Sequence, residues 1–83
     1  MLKKEQEIIT QKKVQNKVGT ILVQYISENK GKAFTAKSLH DRCIENTNFD
    51  MSISEIENLC YGLHNLGKIR LDIKENVNYY FSS

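Results

Sequence analysis

At Gly67 the spacing of apolar residues changes period, and that change constrains the fold more than any other feature of the chain. Before it, Ile56, Leu59, Cys60, Leu63 and Leu66 recur at the three- and four-residue steps of an amphipathic helix. After it, Ile69, Leu71 and Ile73 alternate with Arg70, Asp72 and Lys74, as a half-buried strand requires. A chain that is helical first and ends in strand belongs to the α+β class. Lys74-Glu75-Asn76-Val77 reads as a turn, with Asn76 able to take a positive φ. Asn78-Tyr79-Tyr80-Phe81 then returns as a second strand. Alternation within that strand places Tyr79 and Phe81 on the core side and Tyr80 outside, beside Arg70, where it would suit a protein contact.

Upstream, Val14, Val18, Ile21, Leu22, Tyr25 and Ile26 mark a first helix that stops near Asn29-Lys30-Gly31. Residues 1–13 form a polar, basic extension, helical or frayed, ahead of a domain over 14–83. Besides Met1, its large apolar groups are Leu2, Ile8 and Ile9, and the Ile8-Ile9 pair suits a contact between two copies of the chain. Thr35 is a good N-cap for a second helix, which buries Ala36, Leu39, Cys43 and Ile44 and runs to about Glu45. Residues 46–50 read as a polar connection anchored by Phe49. Ser52-Ile53-Ser54-Glu55 has the form of a capping box, opening a third helix that ends at Gly67.

With 83 residues there is room for one small domain. The longest apolar run is Ile21-Leu22-Val23, far short of the roughly 20 residues that cross a bilayer, so no membrane insertion is expected. The Lys-rich start is not followed by an apolar segment of the kind a secretory signal needs. Two cysteines make no disulfide framework and point to a reducing, cytoplasmic setting. No nucleophile motif, phosphate-cradling glycine loop or carboxylate pair is present; Lys32 follows Gly31 without the rest of a P-loop. The expectation is a protein that is not an enzyme and carries no cofactor. His40-x2-Cys43 and Cys60-x3-His64 hold two pairs of soft ligands that would suit tetrahedral zinc. Both cysteines nevertheless fall on apolar helix faces, where free cysteine serves as a small hydrophobe, and no metal is expected.

The net charge is +2, unevenly placed. Residues 1–17 hold five lysines against two glutamates, a net +3, whereas the remaining 66 residues carry a net −1. Attraction to nucleic acid must therefore come from local placement or from the basic arm.

Ser52-Ile53-Ser54-Glu55-Ile56, followed by Leu63-His64-Asn65-Leu66-Gly67-Lys68-Ile69, resembles the capped third helix and strand opening of the winged helix-turn-helix family. The resemblance covers residues 14–83 and implies three helices, a short first strand at Phe34 and a C-terminal β-hairpin wing; with the N-terminal helical extension ahead of it, the expected fold is α+β. The connection at residues 46–51 is longer than the tight turn of the simplest members. In DNA-binding members the third helix enters the major groove and the wing meets the backbone. Placed at 100° steps, Ser54, Asn58, Tyr61 and Asn65 lie opposite the apolar face, where Asn suits adenine and Ser or Tyr suits phosphate or base. Lys68, Arg70 and Lys74, on or beside the outward side of the hairpin, with Lys37 in the first turn of helix two, would meet phosphates. The same residues also suit a plain solvated face, and Glu55 and Glu57 put negative charge where phosphate is expected.

The resemblance thus implies a small DNA-binding transcriptional regulator whose partner is double-stranded DNA. Separately, Ile8 and Ile9, which have no obvious place in a monomeric three-helix core, lead us to expect homodimerisation through the N-terminal segment. The alternative is a winged-helix protein-interaction module, similar to those in RNA polymerase and general transcription factor subunits or ESCRT complexes. The nearly neutral body and the two glutamates favour that alternative.

Overall fold

The computed structural model describes residues 3–45 and 47–82, with side chains described from Asn16 onward apart from Asn46. The contact expected of Ile8 and Ile9, and the Val14 side chain, lie outside the described side chains. Helix α1 runs over Lys3–Glu28 without a break, so extension and first helix are one rod. Val18, Leu22 and Ile26, each four residues apart, form its fully buried stripe, flanked by the half-buried Ile21, Val23 and Tyr25. It closes as the Asn29 side-chain amide donates to the Tyr25 carbonyl at 2.8 Å, and Gly31 takes φ +88°, which a glycine adopts without strain.

Helix α2 is a single turn, Ala36–Leu39, with the Thr35 hydroxyl accepting from the Ser38 amide at 3.2 Å. It continues into a π-helical turn, His40–Ile44, that carries Cys43 and Ile44 inward. Met51 is buried at the end of the connection that follows. Helix α3, Ile53–Asn65, opens with the expected capping box: the Ser52 hydroxyl accepts from the Glu55 amide, and the Glu55 carboxylate from the Ser52 amide, both at 3.1 Å. Ile56, Cys60 and Leu63 face inward. Leu66 does not, contrary to its apolar spacing, and is 72% exposed. Ten residues beyond Ile56 it is rotated about 80° off the buried line, and at Gly67, φ +77°, the chain turns away.

Strands β1 (Arg70–Lys74) and β2 (Val77–Phe81) form an antiparallel hairpin. Its two-residue loop, Glu75-Asn76, has φ of 52° and 65°, the doubly positive pattern that matches the twist of the flanking strands. That loop pairs Lys74 with Val77, and therefore Leu71 with Tyr80, Asp72 with Tyr79 and Arg70 with Phe81. Residues directly opposite across a ladder share a face. The alternation expected within β2 is thus reversed: Tyr80 points inward with Leu71 and is fully buried, the largest side chain to be so. Tyr79 and Phe81 lie on the other face, half-buried.

Phe34 adds a single antiparallel bridge to β2, exchanging backbone hydrogen bonds of 2.8 and 2.7 Å with Tyr80. Its ring meets that of Tyr25 edge-on at 5.2 Å. The molecule is thus α+β, three helices followed by a two-stranded hairpin, around one core that all three helices and the hairpin share. Among the described residues no helix is long and apolar enough to cross a membrane.

Candidate nucleic-acid interface

The capping box sets the rotation of α3, and that rotation puts Ser54, Asn58, Tyr61 and Asn65 in solvent, as the 100° spacing requires. Tyr61 is 50% exposed and lies edge-on to the His64 ring at 6.2 Å. All four are neutral hydrogen-bonding groups, the kind that read base edges or phosphate oxygens without fixing a charge.

The two glutamates of this helix have separate occupations. Glu55 closes the N-terminus through the capping box. Glu57 points away from the Asn58–Asn65 side and braces the hairpin. Its Oε1 accepts from the Tyr80 hydroxyl at 2.6 Å and from the Asn78 side-chain amide at 2.8 Å. Burial, and then the Glu57 hydrogen bond, push the Tyr80 phenol well above its ordinary value, so it remains a donor. This junction fixes the hairpin against α3, and with it the placement of the cations on the hairpin.

Lys37, Lys68, Arg70 and Lys74 are all exposed. Asn58 and Lys68 line one open groove, of about 810 Å³, between α1 and α3; Gly19, Val23, Leu59 and Leu66 are among its other walls. Arg70 and Lys74 stand on the outer face of the hairpin, Arg70 opposite Phe81, with the Lys74 ammonium 3.9 Å from the Asp72 carboxylate. Lys37 stands apart on α2. The expected residues are all exposed, but the structure does not gather them. Asn58 and Lys68 share the groove, and Arg70 and Lys74 the hairpin's outer face. Ser54, Tyr61 and Asn65 stand on α3 outside the groove, and Lys37 is separate.

Comparison with protein-family models, curated proteins and solved structures finds no match to this chain.

The soft-ligand pairs are placed differently. Among the described residues no group of three or more His, Cys, Asp or Glu is gathered as a metal would require. The His40 Nε2 donates to the Met51 carbonyl at 2.8 Å, while its Nδ1 lies 3.5 Å from the Asp41 carboxylate. Cys43 and Cys60 are buried and free. Burial, helped by the charge of Glu57 and by Cys43, pushes the Cys60 thiol up to about 12; burial also raises Cys43 despite the Arg42 guanidinium. Both stay protonated at neutral pH, which suits core packing and not ligation or nucleophilic attack.

Sequence reasoning missed the Glu57–Asn78–Tyr80 junction. The signal was available in the turn: a two-residue loop at 75–76 with Leu71 inward places Tyr80 inward by register alone.

Proposed function

We propose that this chain is a small winged-helix protein of the cytoplasm that binds double-stranded DNA as a transcriptional regulator. Helix α3 enters the major groove and the β1–β2 hairpin, acting as the wing, meets the backbone. The observation that carries the reading is the outer side of α3, where Ser54, Asn58, Tyr61 and Asn65 stand exposed while Glu57 is turned to the hairpin. The order of elements also supports it. A short bridge at Phe34 pairs with the last strand, and the hairpin is held against the third helix as a wing must be if both are to reach one duplex. Lys68, Arg70 and Lys74 supply phosphate contacts on the wing side and Lys37 supplies one from α2. Two copies joined through the basic N-terminal segment would double those contacts, and the salt dependence follows their number.

Replacing Asn58, Tyr61 and Arg70 together by Ala tests the face. These residues are exposed, so the fold should survive, and duplex affinity should fall by tenfold or more, at about 1–3 kcal/mol for each good base contact. Unchanged affinity refutes the assignment. Deleting residues 1–10 should halve the mass seen by light scattering, and an unchanged mass removes the arm from the dimer.

One observation favours a second reading, a protein-interaction module. Leu66, 72% exposed, joins Val23 and Leu59 along the α1–α3 groove, an apolar surface that duplex DNA does not use. Retention on heparin at moderate salt separates the two: the DNA-binding protein holds and the interaction module flows through.

A further inference from the structure

The reversed alternation of β2 leaves two aromatic rings where the core does not need them. The half-buried apolar groups packed on the core include Leu71, Tyr25 and Phe49, but Tyr79 and Phe81 lie on the far face of the hairpin. They are two residues apart on one strand, about 7 Å along its axis, and both are half-buried, outside the core cluster. Beside them is a hollow of about 480 Å³, lined by Lys32, Ala33, Asp72, Lys74, Tyr79 and Phe81, next to the left-handed turn at Gly31. Lys32 and Lys74 line the hollow with the rings, Arg70 stands opposite Phe81 across the ladder, and the carboxylate among the lining residues, Asp72, lies 3.9 Å from Lys74. Flat π-faces interleaved with cations are the chemistry that holds unpaired bases and their phosphates. A folded duplex buries its base faces in its own stack and offers nothing to these rings.

We propose that the outer face of the hairpin docks a single strand of DNA. Unpaired bases stack on Tyr79 and Phe81, and Lys32, Arg70 and Lys74 take the flanking phosphates. The preference for DNA over RNA rests on the duplex reading above, because Arg70 and Lys74 border both surfaces and a strand leaving a duplex would pass from one to the other. Three phosphate contacts give a log–log salt slope of about −2 on a single strand.

The test is fluorescence anisotropy of a labelled oligothymidylate of about 12 nucleotides, within the usual site sizes for such surfaces, with a random duplex and an oligouridylate of equal length in parallel. The intact chain should bind the oligothymidylate. The double variant Tyr79→Leu, Phe81→Leu keeps apolar bulk and removes the π-faces; it should bind at least about tenfold more weakly, with duplex affinity unchanged. Lys32→Glu, at an exposed position that cannot unfold the core, should weaken it by a similar factor. Absence of binding at about 100 μM, or affinity unaffected by either variant, overturns the inference while leaving the duplex reading standing. Tighter binding of the oligouridylate overturns the assignment to DNA. Oligothymidylate binding without duplex binding overturns the duplex reading and keeps the stacking surface.

Discussion

On the inner face of the hairpin Leu71, Asn78 and Tyr80 pack toward the core, while Ile73 beyond them is exposed. The Tyr80 hydroxyl and the Asn78 amide converge on one oxygen of Glu57, and the Tyr80 backbone pairs with Phe34. On the outer face of the same strands Arg70, Asp72 and Lys74 are exposed and Tyr79 and Phe81 half-buried, and among the described residues the ion pair there is the long Asp72–Lys74 one. The two faces differ by a single residue step along each strand. One face holds the hairpin to α3, where a satisfied buried network rigidifies it. The other carries exposed charge that contributes little to holding the fold, since exposed ion pairs are worth at most about 1 kcal/mol, and two aromatic rings outside the core cluster.

The sharpest way to break this contrast is to truncate neighbouring tyrosines. Tyr80→Ala should destabilise by about 3–5 kcal/mol, a large share of the total for so small a domain. Tyr79→Ala should cost about 1 kcal/mol. Urea unfolding followed by circular dichroism reads both, and equal losses would erase the distinction between the faces. Tyr80→Phe isolates the hydroxyl. It keeps the ring and removes a hydrogen bond to a carboxylate, so it should cost about 1.5–3 kcal/mol.

Alkaline pH sharpens the same point. Cys60 and Tyr80 both titrate in the folded chain above their ordinary values of 9.0 and 10.0. The folded state therefore holds protons that the unfolded chain releases first. Their contribution is fully present below about pH 9 and is lost as pH rises through the raised values, toward 12 for Cys60. The urea midpoint should hold steady from neutrality to about pH 9 and fall above it, and Tyr80→Phe should shallow that fall. The smallest effect belongs to the outer face. Arg70→Ala with Lys74→Ala should move stability by no more than about 0.5 kcal/mol while weakening duplex binding and lowering its salt slope by about 2.

The helices were legible because their signals are local. The Ser52–Glu55 box, the Thr35 cap and the buried stripe through Val18, Leu22 and Ile26 each depend on residues within a turn or two. The π-helical turn at His40–Ile44 was not legible, since its composition does not distinguish it from one more turn of α-helix. Leu66 misled because apolar spacing does not register where a glycine ends the helix. In β2 three aromatic residues in a row make hydrophobicity uninformative about facing, and only cross-strand register decides. The exposed set on α3 and the hairpin followed from periodicity, whereas its division into a groove and an outer face needed the packing of α1 against α3.

The most direct test of the account is anisotropy of a labelled random duplex at about 50 and 200 mM salt. The account predicts binding that weakens by roughly tenfold or more between the two, as several phosphate contacts require. No binding at either salt with protein near 100 μM, the weak end of non-specific affinities, would contradict it and leave the α1–α3 groove and its Leu66 as the surface that matters.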